Sequence, residues 1–284
     1  MIKSPLRYPG GKSRAMKFLK TYIPPFAELR EPFFGGGSFS FHCVQAFPKA
    51  TFAASDLNYD VFCLWQQLKT NDKEIVATVF DIKNSYEDGR VLYKEILARR
   101  NDTLSDFQRA VDFFILNRIT FSGVADAGGY SNMAFQKRFT ISSIERLQKA
   151  AQIVKKIDFS ATDYTYLLEK AGENVFIFLD PPYYSATKSR LYGKNGMLHT
   201  GFDHERFYES LKVCEHKWLI TYDNSEYIKE RYKDFYILDW ELQYGMNNYK
   251  SKTAAKGKEV LIGNFDFVAM AQTKEKGKGL TEIF

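Results

Sequence analysis

The stretch VFIFLDPPY, residues 175–183, decides the fold. Its first part, Val175–Leu179, is an unbroken apolar run with the length of a buried strand. The two prolines that follow Asp180 cannot continue a central strand, because they have no backbone N–H, and they stiffen the turn. Asp180 and Tyr183 therefore keep a fixed relation at a strand end, where ligands bind in open α/β sheets. A rigid cluster of acceptors beside an aromatic ring suits a planar substrate that carries an amino group.

Strand-like and helix-like segments alternate on both sides of this stretch. Residues 27–30 predict a strand that leads into EPFFGGG at 31–37, with a helix over 38–47 and a second strand over 51–55. Further strands are predicted at 218–222, 235–238 and 259–265. The pattern predicts an α/β fold with one sheet, interrupted by a mainly helical insertion at roughly 60–150.

Charge is concentrated in two parts of the chain. The 284 residues carry a formal net charge of +6, and 16% of them are aromatic. Residues 91–156 hold 11 Lys and Arg against 6 Asp and Glu, and residues 250–258 hold four Lys and no acid. Such basic patches fit a phosphate backbone better than a membrane, and aromatic residues can also stack on bases.

Neither membrane insertion nor secretion is predicted. The sequence has no run of about 18 apolar residues and no apolar stretch behind the basic residues near the N-terminus. The three cysteines are odd in number and widely spaced, which predicts free thiols in a reducing cytoplasm. The four histidines have no metal-ligand spacing with them, so no metal site is predicted.

Two glycine-containing turns are candidate ligand loops. Gly35, Gly36 and Gly37 follow a predicted strand, and glycines there let the backbone approach a ligand closely. The dinucleotide-binding pattern would need glycine where Ser40 stands, but Asp56 ends the next strand, where an acid grips ribose hydroxyls. A simple glycine turn with a solvated Asp is the alternative interpretation.

The second turn is PGGKS at residues 9–13. A phosphate-binding loop of the Walker type would need glycine six residues before Lys12, where the chain has Leu6. The remaining alternatives are a turn that leads into a helix, or a second wall of the same cofactor site.

In their order and spacing, these motifs resemble one enzyme family. The motifs that carry the resemblance are RYPGGK (7–12), EPFFGGG (31–37), DLN (56–58), DY (163–164) and DPPY (180–183), followed by FDH (202–204) and KEVLIGNF (258–265). The chain resembles the S-adenosylmethionine-dependent DNA adenine-N6 methyltransferases of the alpha motif order, the Dam-type or D12 class. The resemblance covers about residues 5–265.

The resemblance implies a discontinuous architecture. A Rossmann-like methyltransferase domain would comprise residues 1–60 and 151–270, and an inserted, mainly helical target-recognition domain would comprise residues 61–150. Residues 271–284 would form a basic tail, and its segment 274–278, rich in Lys and Gly, is expected to be loose.

The resemblance also implies roles for individual residues. Asp180 and the backbone carbonyl of Pro181 would accept hydrogen bonds from the target amino group, and Tyr183 would stack on the flipped base. The residues implied to bind S-adenosylmethionine are Tyr8, Pro9, Gly10, Gly11, Lys12, Glu31, Phe33, Gly35, Gly37, Asp56, Asp163, Tyr164 and Asp180.

The DNA-contacting residues are predicted less sharply. The segment 117–123 resembles part of the family's recognition domain, and the candidates for DNA contacts are Arg118, Ser122, Lys137, Arg138, Lys250 and Lys252. Residues 124–129 lack the Arg that GATC-specific members carry for guanine readout, so the target sequence stays open.

The expected partner is double-stranded DNA, with no membrane and no obligate protein partner, in the cytoplasm. A cognate restriction endonuclease that acts separately is compatible with the sequence, as is an orphan or phage methylase. Two alternatives remain: methylation of another amino group (cytosine N4, RNA or a protein amide), or an inert methyltransferase fold that only binds DNA. The acid of the DPPY motif and the presence of Lys12 and Asp56 favour catalysis on adenine.

Overall fold

A computed structural model describes residues 1–100, 102–125, 128–184, 201–243 and 256–281 of the chain. The predicted DNA contacts Lys250 and Lys252 lie outside the described residues.

Within the described residues, the core element is a mixed sheet of seven strands in the order β3-β2-β1-β4-β5-β7-β6. The strands are β1 Glu28–Glu31, β2 Thr51–Ser55, β3 Asp158–Ser160, β4 Val175–Leu179, β5 Lys217–Asp223, β6 Tyr236–Gln243 and β7 Lys256–Gly263. β7 is antiparallel to its neighbours β5 and β6, and the pairs among β1 to β5 are parallel. The predicted α/β fold class is confirmed.

Helices cover both faces of the sheet. In the described residues they are α1 Met16–Leu19, α2 Ser38–Ala46, α3 Tyr59–Thr70, α4 Asp72–Ser85, α5 Gly89–Arg99, α6 Asp106–Ile119, α7 Asn132–Arg138, α8 Ile141–Val154, α9 Tyr164–Glu169, α10 His204–Lys212, α11 Glu226–Arg231 and α12 Phe267–Thr281. The expectation that residues 274–278 are loose is wrong, because α12 continues through them to Thr281. Apolar residues such as Phe267 and Ala271 are buried and dock the start of this helix.

β4 shows why the apolar run reads as a central strand. All five of its residues are buried. Phe176 and Phe178 belong to the hydrophobic cluster on one face of the sheet, whereas Ile177 and Leu179 belong to the cluster on the other face. A strand that is covered on both faces needs apolar residues at every position, not apolar and polar residues in alternation. This is the usual pattern in parallel sheets.

The helical segment between β2 and β3 packs directly on the sheet domain. Asn58 caps α3 by accepting from the backbone N–H groups of Asp60 and Val61. Trp65 of α3 then packs against Phe34, with ring centroids 5.4 Å apart, and its Nε1–H donates to the carbonyl of Gly35 at 2.9 Å. The first helix of the insertion is thus attached to the glycine loop that follows β1.

The two central strands, β1 and β4, define the position of the site. Chain connections from β1 run to one side of the sheet, through β2 and β3, and those from β4 run to the other, through β5. The carboxyl ends of β1 and β4 therefore open on a crevice at a topological switch point, where α/β folds bind ligands.

Three further observations bear on chemistry and location. Cys43, Cys63 and Cys214 are free thiols, as predicted. Over the described ranges, no helix has the length and apolarity to cross a membrane. In the same ranges, no group of three or more His, Cys, Asp or Glu side chains could hold a metal ion.

Candidate active site

The centre of the site is the carboxylate of Asp180, directly after β4. Lys12 is only 3% exposed, and its Nζ lies 2.7 Å from Asp180 Oδ1. The hydroxyl of Thr221, on the neighbouring strand β5, donates to the same oxygen at 2.7 Å. Both contacts use Oδ1 and fix the rotamer of the carboxylate, so that, as far as the described residues go, Oδ2 is left for a further donor.

The turn from Pro9 to Lys12 brings the lysine to this position. Gly10 has a φ of +70°, and the N–H of Gly11 donates to the carbonyl of Tyr8 at 3.0 Å. Lys12 Nζ also donates to the carbonyl of Gly10 at 3.0 Å. Pro9 is buried beneath the turn. A lysine predicted to contact a cofactor is therefore an ion-pair partner of the predicted catalytic acid.

Tyr183 lies beside this ion pair. Lys12 Nζ is 5.1 Å from the centroid of the Tyr183 ring, within the range of a cation–π interaction. Pro181 is buried, so the turn that carries the ring is anchored. Burial holds the pKa of the Tyr183 hydroxyl well above its ordinary value, with a further contribution from the charge of Asp180.

The glycine loop after β1 packs against Tyr8. Gly35 and Gly37 have φ values of +46° and +63°, which L side chains rarely adopt. A Cβ at Gly35 would lie 2.5 Å from the ring of Tyr8, and one at Gly37 would lie 2.3 Å from the ring of Phe34. Glycine is required at both positions for conformation and for space.

Glu31 is a buried carboxylate under this loop. Its Oε2 accepts from the backbone N–H of Ser40 at 3.0 Å and from the Ser40 hydroxyl. Burial raises the Glu31 pKa to about 8, and the charges of Asp180 and Asp56 act in the same direction.

Asp56 joins the loop to the second strand. Its Oδ2 accepts from the N–H of Gly35 at 2.7 Å, and its Oδ1 accepts from the N–H of Asn58 at 2.8 Å. Burial raises the Asp56 pKa to about 6, although both hydrogen bonds act against that shift. Glu31 and Asp56 thus place two carboxyl groups with raised pKa values beside the crevice.

An aromatic cluster closes the other end of the crevice. Phe33 and Tyr164 are stacked with ring centroids 5.6 Å apart, and Phe207 packs edge-on against both. Asp163 caps α9 by accepting from Thr165, and it forms an exposed ion pair with Arg206 at 3.2 Å. The predicted cofactor residues from the loops after β1, β2 and β3 thus lie along one edge of the sheet.

The predicted DNA contacts of the insertion differ in how exposed their side chains are. Lys137 and Arg138 are exposed at the end of α7. Arg118 is only 2% exposed, and it donates to Asn117 Oδ1 at 2.5 Å. Burial lowers the Arg118 pKa to about 9, and the charges of Arg7, Arg146 and Arg138 lower it further.

Ser122 lies in the turn Phe121–Gly123, which directly follows the helix that carries Arg118. It has a φ of +56°, and Gly123 beside it has a φ of +77°. Asn117 connects this turn to the N-terminal segment. Its Oδ1 accepts from the N–H of Arg7 at 3.0 Å, and its Nδ2 donates to the carbonyls of Arg7 and Gly123, each at 2.9 Å. The segment before Lys12 is therefore fixed to the insertion.

Sequence reasoning did not single out Thr221, Asp223 and Glu259 as functional residues. All three are buried polar residues in otherwise apolar strands, and Asp223 and Glu259 are directly opposed across β5 and β7. Their polarity was a visible signal, but their positions depend on strand pairing: Thr221 reaches Asp180 because β5 pairs with β4, and Glu259 lies opposite Asp223 because β7 pairs with β5.

The sheet order and the loops at its carboxyl edge are consistent with one class of fold, that of the S-adenosylmethionine-dependent methyltransferases. Within that class, the chain belongs to the D12 class N6 adenine-specific DNA methyltransferases, whose family profile matches residues 8–246. The family predicted from the sequence is confirmed.

Individual relatives are similar at low identity. The type II methyltransferase M.CviBI of Paramecium bursaria Chlorella virus NC1A is 23% identical over 264 residues, which cover 91% of this chain and 96% of the relative. The retron Ec67 DNA adenine methylase of Escherichia coli is 24% identical over 275 residues, 88% of each chain. The DNA N-6-adenine-methyltransferase of Escherichia phage P1 is 24% identical over 244 residues, 82% of this chain but 31% of that protein.

Proposed function

We propose that this protein is a site-specific DNA methyltransferase that transfers a methyl group from S-adenosylmethionine to N6 of adenine in double-stranded DNA. The observation that carries the proposal is the Asp180 carboxylate, held through Oδ1 by Lys12 and Thr221 at 2.7 Å each. It stands at the switch point of the sheet, beside an aromatic ring.

The residues around the crevice fit this cofactor. The glycine loop packs against Tyr8 too closely for a side chain at Gly35, so it offers backbone groups to a ligand at this point. The raised pKa values of Glu31 and Asp56 mark carboxyl groups that gain from a cationic or hydroxyl-bearing ligand. We assign the methionine part to Glu31 and the glycine loop, the ribose to Asp56, and the adenine to the cluster that contains Phe33 and Tyr164.

S-adenosylmethionine, when bound, supplies an electrophilic methyl group on a positively charged sulfur. The protein's task is then to make the exocyclic nitrogen of adenine a better nucleophile. That nitrogen is weak because its lone pair delocalises into the ring. Two acceptors on its N–H groups, Asp180 and the carbonyl of Pro181, favour a more tetrahedral nitrogen and free the lone pair. Most of the rate enhancement comes from positioning and electrostatics.

The target nitrogen is inaccessible in a stacked duplex, so the base must be flipped out. Extrusion costs a few kcal/mol, and stacking on an aromatic ring returns about 1–3 kcal/mol. Tyr183, anchored on the rigid turn after β4, is the ring that we assign to this role. The direct transfer of the methyl group needs no covalent enzyme intermediate.

The helical segment at 61–150 is the proposed target-recognition domain, and the basic residues around Arg118 are the proposed contacts to DNA. Similarity to a type II methyltransferase and to a phage enzyme supports a place in a restriction–modification system, or an orphan or phage methylase, in the cytoplasm. Methylation-aware sequencing of DNA from cells that express the protein would give the modified base and its sequence context.

The proposal is tested by Asp180→Ala with tritiated S-adenosylmethionine and unmethylated DNA. The expected result is loss of methyl transfer, while cofactor binding and DNA binding survive in part. Asp239→Asn, which changes an exposed acid on β6, is the matched control and should keep wild-type activity. Mass spectrometry of the digested product identifies N6-methyladenine. Methyl transfer by Asp180→Ala at the wild-type rate, or a product methylated at cytosine N4, would contradict the proposal.

A further inference from the structure

Glu259 on β7 is a buried carboxylate that the proposed chemistry does not use. It is 1% exposed, and neither of its carboxylate oxygens has a hydrogen-bond partner at normal geometry among the described residues. A buried carboxylate without partners is costly, so its presence calls for a compensating role. The neighbouring positions on β7, Val260 and Leu261, are apolar and fully buried.

Strand register places Glu259 in a polar row that ends at the catalytic acid. It lies directly opposite Asp223 on β5, and directly opposed residues of an antiparallel pair point to the same face. Thr221 is two residues from Asp223 and shares that face. Because the Thr221 hydroxyl donates to Asp180 Oδ1, the row runs from Glu259 to the centre of the site.

A second buried group without a partner stands next to it. Among the described residues, the hydroxyl of Tyr183 is buried and makes no hydrogen bond of normal geometry. Glu259 and Tyr183 nevertheless perturb each other as immediate neighbours, since each contributes to the pKa shift of the other. The two groups are complementary, because the hydroxyl is a donor and the carboxylate offers two acceptor oxygens.

We propose that Glu259 is a positioning residue for Tyr183: its carboxylate accepts a hydrogen bond from the Tyr183 hydroxyl and thereby sets the plane of the ring on which the target base stacks. The inference rests on the proposed function. The ring is already anchored at its Cβ end by the turn that contains Pro181, which is buried. A hydrogen bond at the hydroxyl end fixes the opposite edge, and with both ends held the ring presents one orientation to the base.

The surrounding charges support this assignment. The groups that face Glu259 are Lys12, Asp180, Tyr183 and Asp223. Burial raises the Glu259 pKa to about 7, the charge of Lys12 opposes that shift, and the hydroxyl of Tyr183 also lowers it. In either protonation state the carboxyl group keeps an oxygen that can accept from the tyrosine, so the contact does not depend on full ionisation.

A purely structural role is the competing explanation. Trp240 on β6 lies directly opposite Glu259, and its Nε1–H is likewise buried without a partner among the described residues. Its ring, however, is stacked on Phe18 with centroids 4.7 Å apart. If Glu259 served Trp240, its removal would lower stability and would be independent of Tyr183.

A double-mutant cycle separates the two roles. Tyr183→Phe removes the hydroxyl and keeps the ring, and Glu259→Leu removes the acceptor without introducing a charge. Each change alone should lower kcat by about tenfold with the Kd for S-adenosylmethionine unchanged, because one hydrogen bond that orients the ring is lost. The double variant should be no slower than either single variant, since both remove the same contact.

The conservative variant and the control sharpen the readout. Glu259→Gln keeps an acceptor oxygen and should recover part of the loss seen in Glu259→Leu. Trp240→Phe removes the alternative donor and should leave kcat unchanged. Thermal unfolding is measured for all variants, and Tyr183→Phe serves as a test by itself if Glu259→Leu does not fold.

Three results would overturn the assignment: wild-type kcat in Tyr183→Phe, effects of the two single changes that multiply to about a hundredfold loss in the double variant, or a loss confined to Tm. Failure of the proposed function is recognised separately, because the wild-type protein itself would then leave N6 of adenine unmethylated.

Discussion

Lys12, a predicted cofactor residue, forms an ion pair with the predicted catalytic acid. The resemblance implies a contact to the cofactor, but the lysine lies against Asp180 and the ring of Tyr183. The ammonium group thus holds the two residues that we propose to face the target base. Its burial makes this ion pair sensitive to loss of either partner, because an unpaired buried charge is costly.

Thr221 provides a mild test of that arrangement. Thr221→Val keeps the shape of a fully buried side chain and deletes the hydrogen bond to Asp180. We expect kcat to fall about tenfold, the cost of about 1.5 kcal/mol for one hydrogen bond to a charged group. Thr70→Val, at the exposed end of α3, is the matched control and should keep wild-type kcat. Unchanged kcat in Thr221→Val would mean that Lys12 alone holds the carboxylate.

The carboxyl groups of Glu31 and Asp56 predict a pH dependence of cofactor binding. Their pKa values of about 8 and about 6 mean that both are partly protonated near neutral pH in the free protein. A cationic, hydroxyl-bearing ligand favours the ionised forms, so binding lowers both pKa values and releases protons.

The affinity for S-adenosylmethionine should therefore rise from pH 5.5 to 7.5, by at most about tenfold per pH unit for each proton released. Isothermal titration calorimetry in two buffers of different ionisation enthalpy counts those protons. The range stops below about pH 7.7, the pKa of an α-amino group such as that of the methionine part of the ligand. If the affinity did not change with pH and no protons were released on binding, neither carboxyl group would respond to the cofactor.

At the scale of elements, the sequence predicted the strands that end in motifs most accurately. The predicted bounds of β2 and β4 agree with the structure, because apolar runs are bounded there by polar residues or proline. β7 was predicted at 259–265 but occupies Lys256–Gly263. The strand ends there because the side chain of Asn264 turns back to bond Trp218 N and the carbonyl of His216, each at 2.8 Å.

The site was predictable where it consists of strand-end motifs and unpredictable where it consists of residues within strands. The residues from Asp180 to Tyr183 follow a strand, and their chemistry can be recognised locally. Thr221 joins the site because β5 pairs with β4, and Glu259 joins it because β7 lies antiparallel between β5 and β6. Sequence order does not specify that arrangement.

Gly123 tests the junction between the insertion and the segment before Lys12. Its φ is +77°, and a Cβ at this position would lie 2.3 Å from the carbonyl oxygen of Arg7, so there is no room for a side chain. Gly123→Ala should lower the free energy of unfolding by about 2 kcal/mol, and it should reduce kcat by displacing the turn that holds Lys12. Urea unfolding measures the first effect.

The matched control for this change is Gly129→Ala. Gly129 is exposed, and a Cβ there would meet nothing within 4 Å. Its unfolding midpoint should stay close to that of the wild-type protein. Equal midpoints for the two variants would show that the junction tolerates the displacement.

At the scale of the whole molecule, the distribution of positive charge is the clearest sign of how DNA is engaged. Burial and the charges of Arg7, Arg146 and Arg138 lower the Arg118 pKa, and burial and the charge of Arg138 lower the Arg7 pKa. In the described parts of the chain, no carboxylate forms an ion pair with Arg118. A phosphate group would relieve this repulsion, so we propose the cluster as an electrostatic site for the DNA backbone.

Arg138→Gln should weaken DNA binding similarly for all sequences and reduce the slope of log K against log salt by about 1. Tm should not fall, because the change removes repulsion at an exposed side chain. Fluorescence anisotropy with duplex DNA over a salt series measures the slope. Lys233→Gln makes the same charge change near the start of β6, at the opposite edge of the sheet, and should keep the wild-type slope. If the two variants had the same slope of log K against log salt, the DNA would not contact the surface around Arg138.

The pairing of β1 with β4 has a consequence for the order in which the molecule is made. Glu28 pairs with Val175, so the two central strands are 147 residues apart in the chain (175 minus 28). Closing so long a loop is entropically costly and slow, whereas the helices between them have partners close in sequence. During synthesis the helical segment is complete before β4 emerges. Lys12 cannot form its ion pair until Asp180 has been synthesised. A nascent chain therefore acquires helical structure early and catalytic competence late, only when the centre of its sheet closes.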